Sequence, residues 1–280
     1  MATQPPPAGP QPNADTNVTF PFAPLRAIAK RKARSHETSK AVHLPLLQSH
    51  LSAGPEVVLV GDSMFERMTT TGQSPNFVSA WPSAAMLSDA MLASLNVERL
   101  ERVFNAGVGG DQIQNVAFRL VGERCPEDEE KDLPGILPVL AECGSVKLWV
   151  VHVGTNHLSH KKGLRDRDRD ALAVLLRALL GVNPRAGPGC RVLVTGLFYR
   201  KDVPRALVDE TNAKLERVVK GLNEVLGEER VVFLHAVEEV KTEEHLVDHV
   251  HLNLEGYQLW VRRLFLKVVE MLHEREGTTS

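Results

Sequence analysis

The chain has 280 residues, 43% hydrophobic and 24% charged, with a formal net charge of −2. These values describe an ordinary globular composition with room for one large domain or two small ones. They carry no global bias toward nucleic acid or an anionic surface. No apolar run approaches the roughly 18 to 20 residues needed to cross a bilayer, and the N-terminus lacks a charged-then-apolar secretory pattern. Cys125, Cys143 and Cys190 have no motif spacing. They read as reduced thiols of a cytoplasmic-type protein. Asn17-Val-Thr fits a glycosylation acceptor only by chance in that setting.

Residues 1–22 are rich in Pro, Gln, Ala and Asn without hydrophobic periodicity. Such a segment buries too little surface to offset its ordering entropy, and disorder is expected. The next stretch, through Lys40, carries Arg26, Lys30, Arg31, Lys32 and Arg34. It reads as a surface helix or as more of a loosely attached tail; it could recruit a partner or simply be solvated. The expected boundaries are a tail over 1–40, one domain over 41–275 and a frayed end over 276–280. Ala41 to Leu51 leads into the domain as a helix.

Val57 to Val60 is a short β-branched run without polar alternation, the pattern of a strand buried on both faces. Phe77 to Leu95 has mostly helical apolar spacing. Further strands are expected at Arg99–Phe104, Lys147–Val153, Arg191–Gly196 and Val231–Leu234. Helices are expected from the Gly-rich turn to Val121, then over Ile136–Glu142, Arg165–Leu180, Val208–Leu226 and Leu254–His273, the last capped by Asn253. Glu123 to Pro134 reads as an acidic surface loop. Strands alternating with helices predict an α/β fold: a three-layer, doubly wound parallel sheet of about five strands.

Four strand ends carry polar residues, where open α/β sheets place their sites. The first is Gly61-Asp62-Ser63. Its hydroxyl is a candidate nucleophile at a helix start, or else Asp62 or Ser63 is only a helix cap. The second, Gly107 to Asp111, lets the backbone turn tightly and bring an N–H to a bound group. It matches neither the dinucleotide fingerprint nor a Walker loop; a purely structural turn is the alternative. The third is His152-Val-Gly-Thr-Asn-His157, where Asn156 offers an amide donor or closes an Asx-turn. The fourth is Asp248-His-Val-His251, whose spacing can hold a carboxylate against an imidazole. A metal held by His245, Asp248, His249 and His251 competes with that reading, but the cluster lacks paired-ligand spacing. His152, His157, His160 and His235 read as ordinary loop or edge histidines. Together the four places supply nucleophile, base, orienting carboxylate and oxyanion donors, the set needed for acyl transfer. Phe65 stands where a nucleophile elbow would have its second glycine, which argues against an α/β-hydrolase.

Gly61-Asp62-Ser63, Gly110, Asn156 and Asp248-x-x-His251 occur in the order of the SGNH, or GDSL-type, hydrolases, which the chain resembles. Within them it looks most like the catalytic α subunits of intracellular platelet-activating-factor acetylhydrolase. The likeness covers roughly Val57 to Leu272 and includes Val-Gly-Asp-Ser-Met64, Gly-Val-Gly-Gly-Asp111, Val-Gly-Thr-Asn156, Asn212-Ala-Lys and His251-Leu-x-x-x-Gly-Tyr257. The resemblance implies a flavodoxin-like sheet with Ser63 as nucleophile, His251 as base and Asp248 as its orienter. The Ser63 N–H, the Gly110 N–H and the Asn156 side chain would form the oxyanion hole. It also implies a pocket for a short acyl group near Met64, Thr155 and Val250. Neither metal nor cofactor is implied, and the resemblance is compatible with a homodimer. The N-terminal tail, the 123–134 loop and Val250, where that subunit has a larger aliphatic residue, depart from the pattern.

The function expected is therefore a serine esterase acting on short-chain esters of a lipid or carbohydrate through an acyl-enzyme. The absence of an extended hydrophobic lid argues against long-chain substrates. An acyltransferase using the same site and a non-catalytic binding protein on this fold are the alternatives.

Overall fold

A computed structural model describes residues 22–49, 53–72, 79–182 and 189–276. The expected disorder of the N-terminal tail before Phe22 lies outside them, as does the frayed end beyond Glu276. The main sheet has five strands: β1 (Val57–Gly61), β2 (Val103–Gly107), β5 (Leu148–His152), β6 (Arg191–Thr195) and β7 (Val231–Leu234). A small antiparallel ribbon pairs β3 (Gly122–Glu123) with β4 (Leu133–Pro134). All pairings in the main sheet are parallel, in the order β2-β1-β5-β6-β7. Counting these five strands alone gives the flavodoxin-like order 2-1-3-4-5, whose direction reverses between β1 and β5.

Parallel strands covered on both faces need apolar side chains on both. Val58 and Val60 join the core on one face, while Val57 and Leu59 join the core on the other. Trp149 and Val151 of β5 repeat this division against Leu148 and Val150. The first core includes residues of α1 (Ala23–Ile28), α3 (Leu44–Ser49), α6 (Ile113–Val121), α7 (Ile136–Cys143), α8 (Asp166–Leu180) and α9 (Arg205–Leu226). The second includes residues of α4 (Ser63–Glu66), α5 (Asp89–Ser94) and α11 (Leu254–Glu276). Three layers result. Asn253 caps α11 as expected, its side-chain oxygen accepting the Gly256 N–H at 2.9 Å.

Several local expectations shift. The second strand begins at Val103 rather than Arg99 because Leu100 pairs with Trp81 instead, each N–H donating to the other's carbonyl at 2.7 Å. The helix expected over Phe77–Leu95 shortens to α5, with Phe77 itself outside the described residues. Pro82 cannot donate to a helical ladder, and Trp81, Met86 and Leu87 are buried individually from an irregular segment. Ser88 starts α5 by accepting the Met91 N–H.

The largest difference concerns the basic segment. Residues from Ala23 to Lys40 do not trail from the domain. They form α1, α2 (Ala33–Thr38) and the start of a π-helical turn, Ser39–His43, that leads into α3. Leu25 and Ser35 have no exposed surface. The Lys30 N–H donates to the Gln114 carbonyl at 2.9 Å and Asn115 Nδ2 donates to the Lys30 carbonyl at 2.9 Å. The charge count concealed this because the cations keep their side chains exposed or half-exposed, while Leu25 and Ser35 face inward. The Lys40 ammonium donates to the carbonyls of Glu129 and Glu130 in the acidic loop.

Truncating a fully buried leucine removes its transfer energy and leaves a void, for a loss of about 2 to 5 kcal/mol. Leu25→Ala should therefore lower the unfolding free energy by that amount in denaturant titration. A loosely attached tail would give no measurable change.

Candidate active site

The site gathers where β1, β2 and β5 end, with one further loop after β7. Gly61 closes β1, and the chain turns at once into α4. Asp62 is the N-cap: its Oδ1 accepts the Met64 N–H at 3.0 Å. With Asp62 in that role, the neighbouring Ser63 hydroxyl is left for another partner. That partner is His251, whose Nε2 lies 2.9 Å from Ser63 Oγ. Asp248 Oδ2 stands 2.7 Å from Nδ1 of the same ring. Hydroxyl, imidazole and carboxylate therefore form one continuous hydrogen-bonded line across 188 residues of sequence separation.

The Asp248–His251 turn is held from several sides. Leu246 and Leu252 bridge its two arms, and the Val247 N–H donates to the His251 carbonyl at 2.9 Å. The Lys201 N–H donates to the His249 carbonyl at 2.9 Å. Asp248 Oδ1 accepts the N–H groups of Val250 and His251, each at 2.8 Å. Partial burial alone would raise the Asp248 pKa, but its bonds to the His251 ring and to these two N–H groups win, and the carboxyl is held well below its ordinary value. Arg67, one turn beyond Ser63, adds a guanidinium 3.5 Å from Asp248 Oδ2.

Opposite this line lie the two predicted donors from other strands. Gly110 follows β2 in a turn closed by the Asp111 N–H to the Val108 carbonyl at 3.2 Å. Its φ of +76° favours glycine, and a Cβ there would come within 2.7 Å of Lys32 Nζ. Asn156 lies in the single 3-10 turn Thr155–His157 after β5. Its amide does not close a local Asx-turn. Asn156 Nδ2 donates to the Asp111 carbonyl at 2.9 Å and lies 3.4 Å from Asp62 Oδ2. Gln112 Nε2 returns a bond to the Asn156 carbonyl at 2.9 Å, and the Ile113 N–H donates to His157 Nε2 at 3.1 Å. The β2 and β5 loops are thus stitched together.

Of the predicted pocket residues, Met64 is buried in the core on the α11 side, and its carbonyl accepts the Tyr257 hydroxyl at 2.9 Å. The Thr155 hydroxyl hydrogen-bonds to Asp62 and lies 3.3 Å from His152 Nε2, and its carbonyl accepts from Arg200 at 2.8 Å. Val250 is buried beside the Asp248–His251 pair. The competing metal cluster is not assembled. Both His251 nitrogens face Asp248 and Ser63, His245 Nδ1 accepts the Lys241 N–H at 2.8 Å, and the His249 ring is turned toward Asp202 at 3.9 Å. Among the described residues, no group of three or more His, Cys, Asp or Glu side chains gathers as ligands.

Residues that motif spacing does not reveal complete the site. Asp111 and Arg119 are both without exposed surface, and Arg119 Nε reaches Asp111 Oδ2 at 2.7 Å. Arg119 also donates to the Gly61 carbonyl at 3.3 Å, joining the turns of β1 and β2. Their separation of eight residues, from loop to the last turn of the next helix, was the available signal. Asp62 is wholly buried. Burial raises its pKa to about 7, with the Asp111 carboxylate adding to the shift and the Met64 N–H, the Thr155 hydroxyl and Arg200 opposing it. His152 is not an edge histidine. It is buried between Thr195, at 2.7 Å from its Nδ1, and the Phe65 and Trp260 rings, and burial lowers its pKa to about 3. It is a neutral packing and hydrogen-bonding group. His157 is also drawn inward, its ring beside the buried Asp168.

The model of the GDSL-like Lipase/Acylhydrolase family matches residues 59–259. That span contains Ser63, Gly110, Asn156, Asp248 and His251. No curated protein matches the chain. Among solved structures, the chain is similar to Est24, a carbohydrate acetylesterase from Sinorhizobium meliloti, at 18% identity and a TM-score of 0.50, covering 78% of this chain and 99% of that one. It is also similar to a family two carbohydrate esterase from Clostridium thermocellum, solved in complex with cellohexaose. There the identity is 15% and the TM-score 0.50, covering 78% of this chain and 65% of that one. At these identities the likeness establishes the shared fold. With a family model spanning most of the sequence on that fold, the chain belongs to the GDSL-like lipase/acylhydrolase family.

Proposed function

We propose that the protein is a serine esterase that cleaves short-chain acyl esters through an acyl-enzyme. The observation that carries this reading is the Ser63–His251–Asp248 line, with contacts of 2.9 and 2.7 Å. His251 Nε2 takes the Ser63 proton as Oγ attacks the ester carbonyl. Asp248 accepts from Nδ1–H, fixes the tautomer and stabilises the imidazolium that forms. The carbonyl oxygen becomes an oxyanion facing the Ser63 N–H, the Gly110 N–H and the Asn156 amide. The imidazolium then protonates the departing alcohol. Water, deprotonated by His251, attacks the acyl-Ser63 carbonyl; the C–O bond to Ser63 breaks, and the acid leaves as Oγ recovers its proton.

The small acyl group is supported by the resemblance of the motif blocks to the platelet-activating-factor acetylhydrolase α subunits, which places Met64, Thr155 and Val250 near the acyl group. Its alcohol part is a lipid or a carbohydrate. A panel of acetyl to octanoyl aryl esters, acetylated sugars and acetylated lipids, run with and without an added alcohol acceptor, reads acyl length, leaving group and any transfer in one experiment.

Ser63→Ala should abolish both turnover and covalent labelling by a fluorophosphonate; labelling that persists in the variant would refute the nucleophile. A single oxyanion donor is worth roughly 2.7 to 4 kcal/mol in the transition state. Asn156→Ala should therefore lower kcat by about a hundredfold or more at a nearly unchanged unfolding midpoint.

Asp62 gives a pH-dependent expectation. Its folded pKa of about 7 lies above its ordinary value of 3.8. The unfolded chain therefore releases this proton first as pH rises, and the ionised carboxylate is disfavoured in the native state. Wild-type stability relative to Asp62→Asn should fall between about pH 4 and pH 7, by up to about 4 kcal/mol, and then level off. Denaturant titrations of both proteins across that range check it. A constant difference between them would show that Asp62 titrates normally.

A further inference from the structure

The segment from Lys30 to Ser35 precedes residues 59–259, the span of the family match, yet it lies against the loop that carries Gly110. Ser35 is fully buried, and its hydroxyl donates to Asp111 Oδ1 at 2.5 Å. Lys32 Nζ donates to the Gly109 carbonyl at 3.0 Å and stands 3.7 Å from the same Asp111 oxygen. Arg34 pairs with Glu66 of α4 at 2.8 Å, beside Gly109. The Lys30 backbone is bonded in both directions to α6, through Gln114 and Asn115.

Asp111 is the point through which these contacts reach the site. Its main-chain carbonyl takes the Asn156 amide at 2.9 Å, and it directly follows Gly110. Two of the three donors assigned above to the oxyanion therefore hang from one residue. Arg119 satisfies one carboxylate oxygen of Asp111 from inside the fold. Ser35 and Lys32 engage the other from outside the family span. Without them that oxygen would be a buried acceptor with no partner, which is expensive, and the carboxylate would turn to find another. Lys32 holds the Gly109 carbonyl, which shares its peptide plane with the Gly110 N–H, and a shift of Asp111 would carry with it the main-chain carbonyl that holds Asn156.

We propose that Ser35 and Lys32 are positioning residues of the active site: through the Asp111 carboxylate and the Gly109 carbonyl they hold the Gly110 N–H and the Asn156 amide in the orientation that receives the oxyanion. The proposal rests on the ester-hydrolase reading above. It differs from a purely structural role of α2 in one respect: the loss falls on the transition state, where the donors act, and spares substrate binding.

The test compares the wild type with Ser35→Ala, Lys32→Met and Lys32→Arg, using an acetyl aryl ester and a trifluoromethyl ketone that mimics the tetrahedral adduct. Ser35→Ala should lower kcat by about tenfold or more with KM within about twofold, since small displacements of catalytic groups weaken rate more than binding. Affinity for the ketone should fall by a factor similar to that in kcat/KM. Lys32→Met should show the same pattern more weakly, and Lys32→Arg should restore most of it. Wild-type kcat and ketone affinity in both Ser35→Ala and Lys32→Met would overturn the proposal.

Amide hydrogen exchange reads the clamp without turnover. Exchange at the Asp111 N–H, which is bonded to the Val108 carbonyl, should quicken in Ser35→Ala while β1 and β5 stay protected. Unchanged exchange in that loop would also overturn the proposal. The ester-hydrolase reading fails separately, through a wild type with no Ser63-dependent turnover.

Discussion

The buried Asp111–Arg119 ion pair is the constraint on which the site's geometry rests. A fully desolvated charge pair needs further hydrogen bonds to offset the cost of its burial. Here those bonds run to parts of the site. Arg119 reaches the carbonyl of Gly61, just before the turn that carries Ser63. Asp111 supplies a carbonyl to Asn156 and receives the Ser35 hydroxyl. These bonds tie the ends of β1, β2 and β5 to one another, while Arg119 Nη1 stays buried without a hydrogen-bond partner among the described residues. An apolar pair of the same volume could fill the space, but it would not specify where three loops must sit.

The apolar layers and the polar ends divide the work along each strand. Val57 to Val60 carries side chains into both cores, which makes β1 a stiff interior strand between β2 and β5. Immediately after it, Asp62 satisfies the Met64 amide and leaves the Ser63 hydroxyl to the imidazole. The His251 imidazole arrives from the far side on a short turn pinned by the Leu246–Leu252 bridge and the Lys201–His249 bond. A hydroxyl and an imidazole held by separate rigid supports lose little entropy on reaching the reactive geometry.

Behind the donors runs a buried polar chain from Thr195 through His152 and Thr155 to Asp62 and Asn156. Its ionisable members are shifted in opposite directions by burial: His152 is kept neutral, and Asp62 holds its proton to unusually high pH for a carboxyl group. Each shift follows from the cost of charge in an apolar surround. The Phe65 and Trp260 rings beside His152, with Phe198 packed on Trp260, supply that environment for His152.

The layered α/β fold was legible in the sequence, because a continuous β-branched run such as Val57–Val60 has few uses other than a strand covered on both sides. The order of Gly61-Asp62-Ser63, Gly110, Asn156 and Asp248-x-x-His251 likewise marked loops that the fold brings to one end of the sheet. What pattern could not supply is any relation that depends on which loops meet. The irregular burial of Trp81 and Leu87 replaced an expected helix because their partners lie far along the chain. His152 passed for an edge residue because its burial is decided by the later Trp260. The basic segment passed for a tail because Ser35 gains its meaning only from an aspartate 76 residues away. Local residue types thus determined the elements and the candidate reactive groups. Only the tertiary structure decided that one buried ion pair would join the loops after β1, β2 and β5, since the energy of a desolvated charge depends on what surrounds it in space.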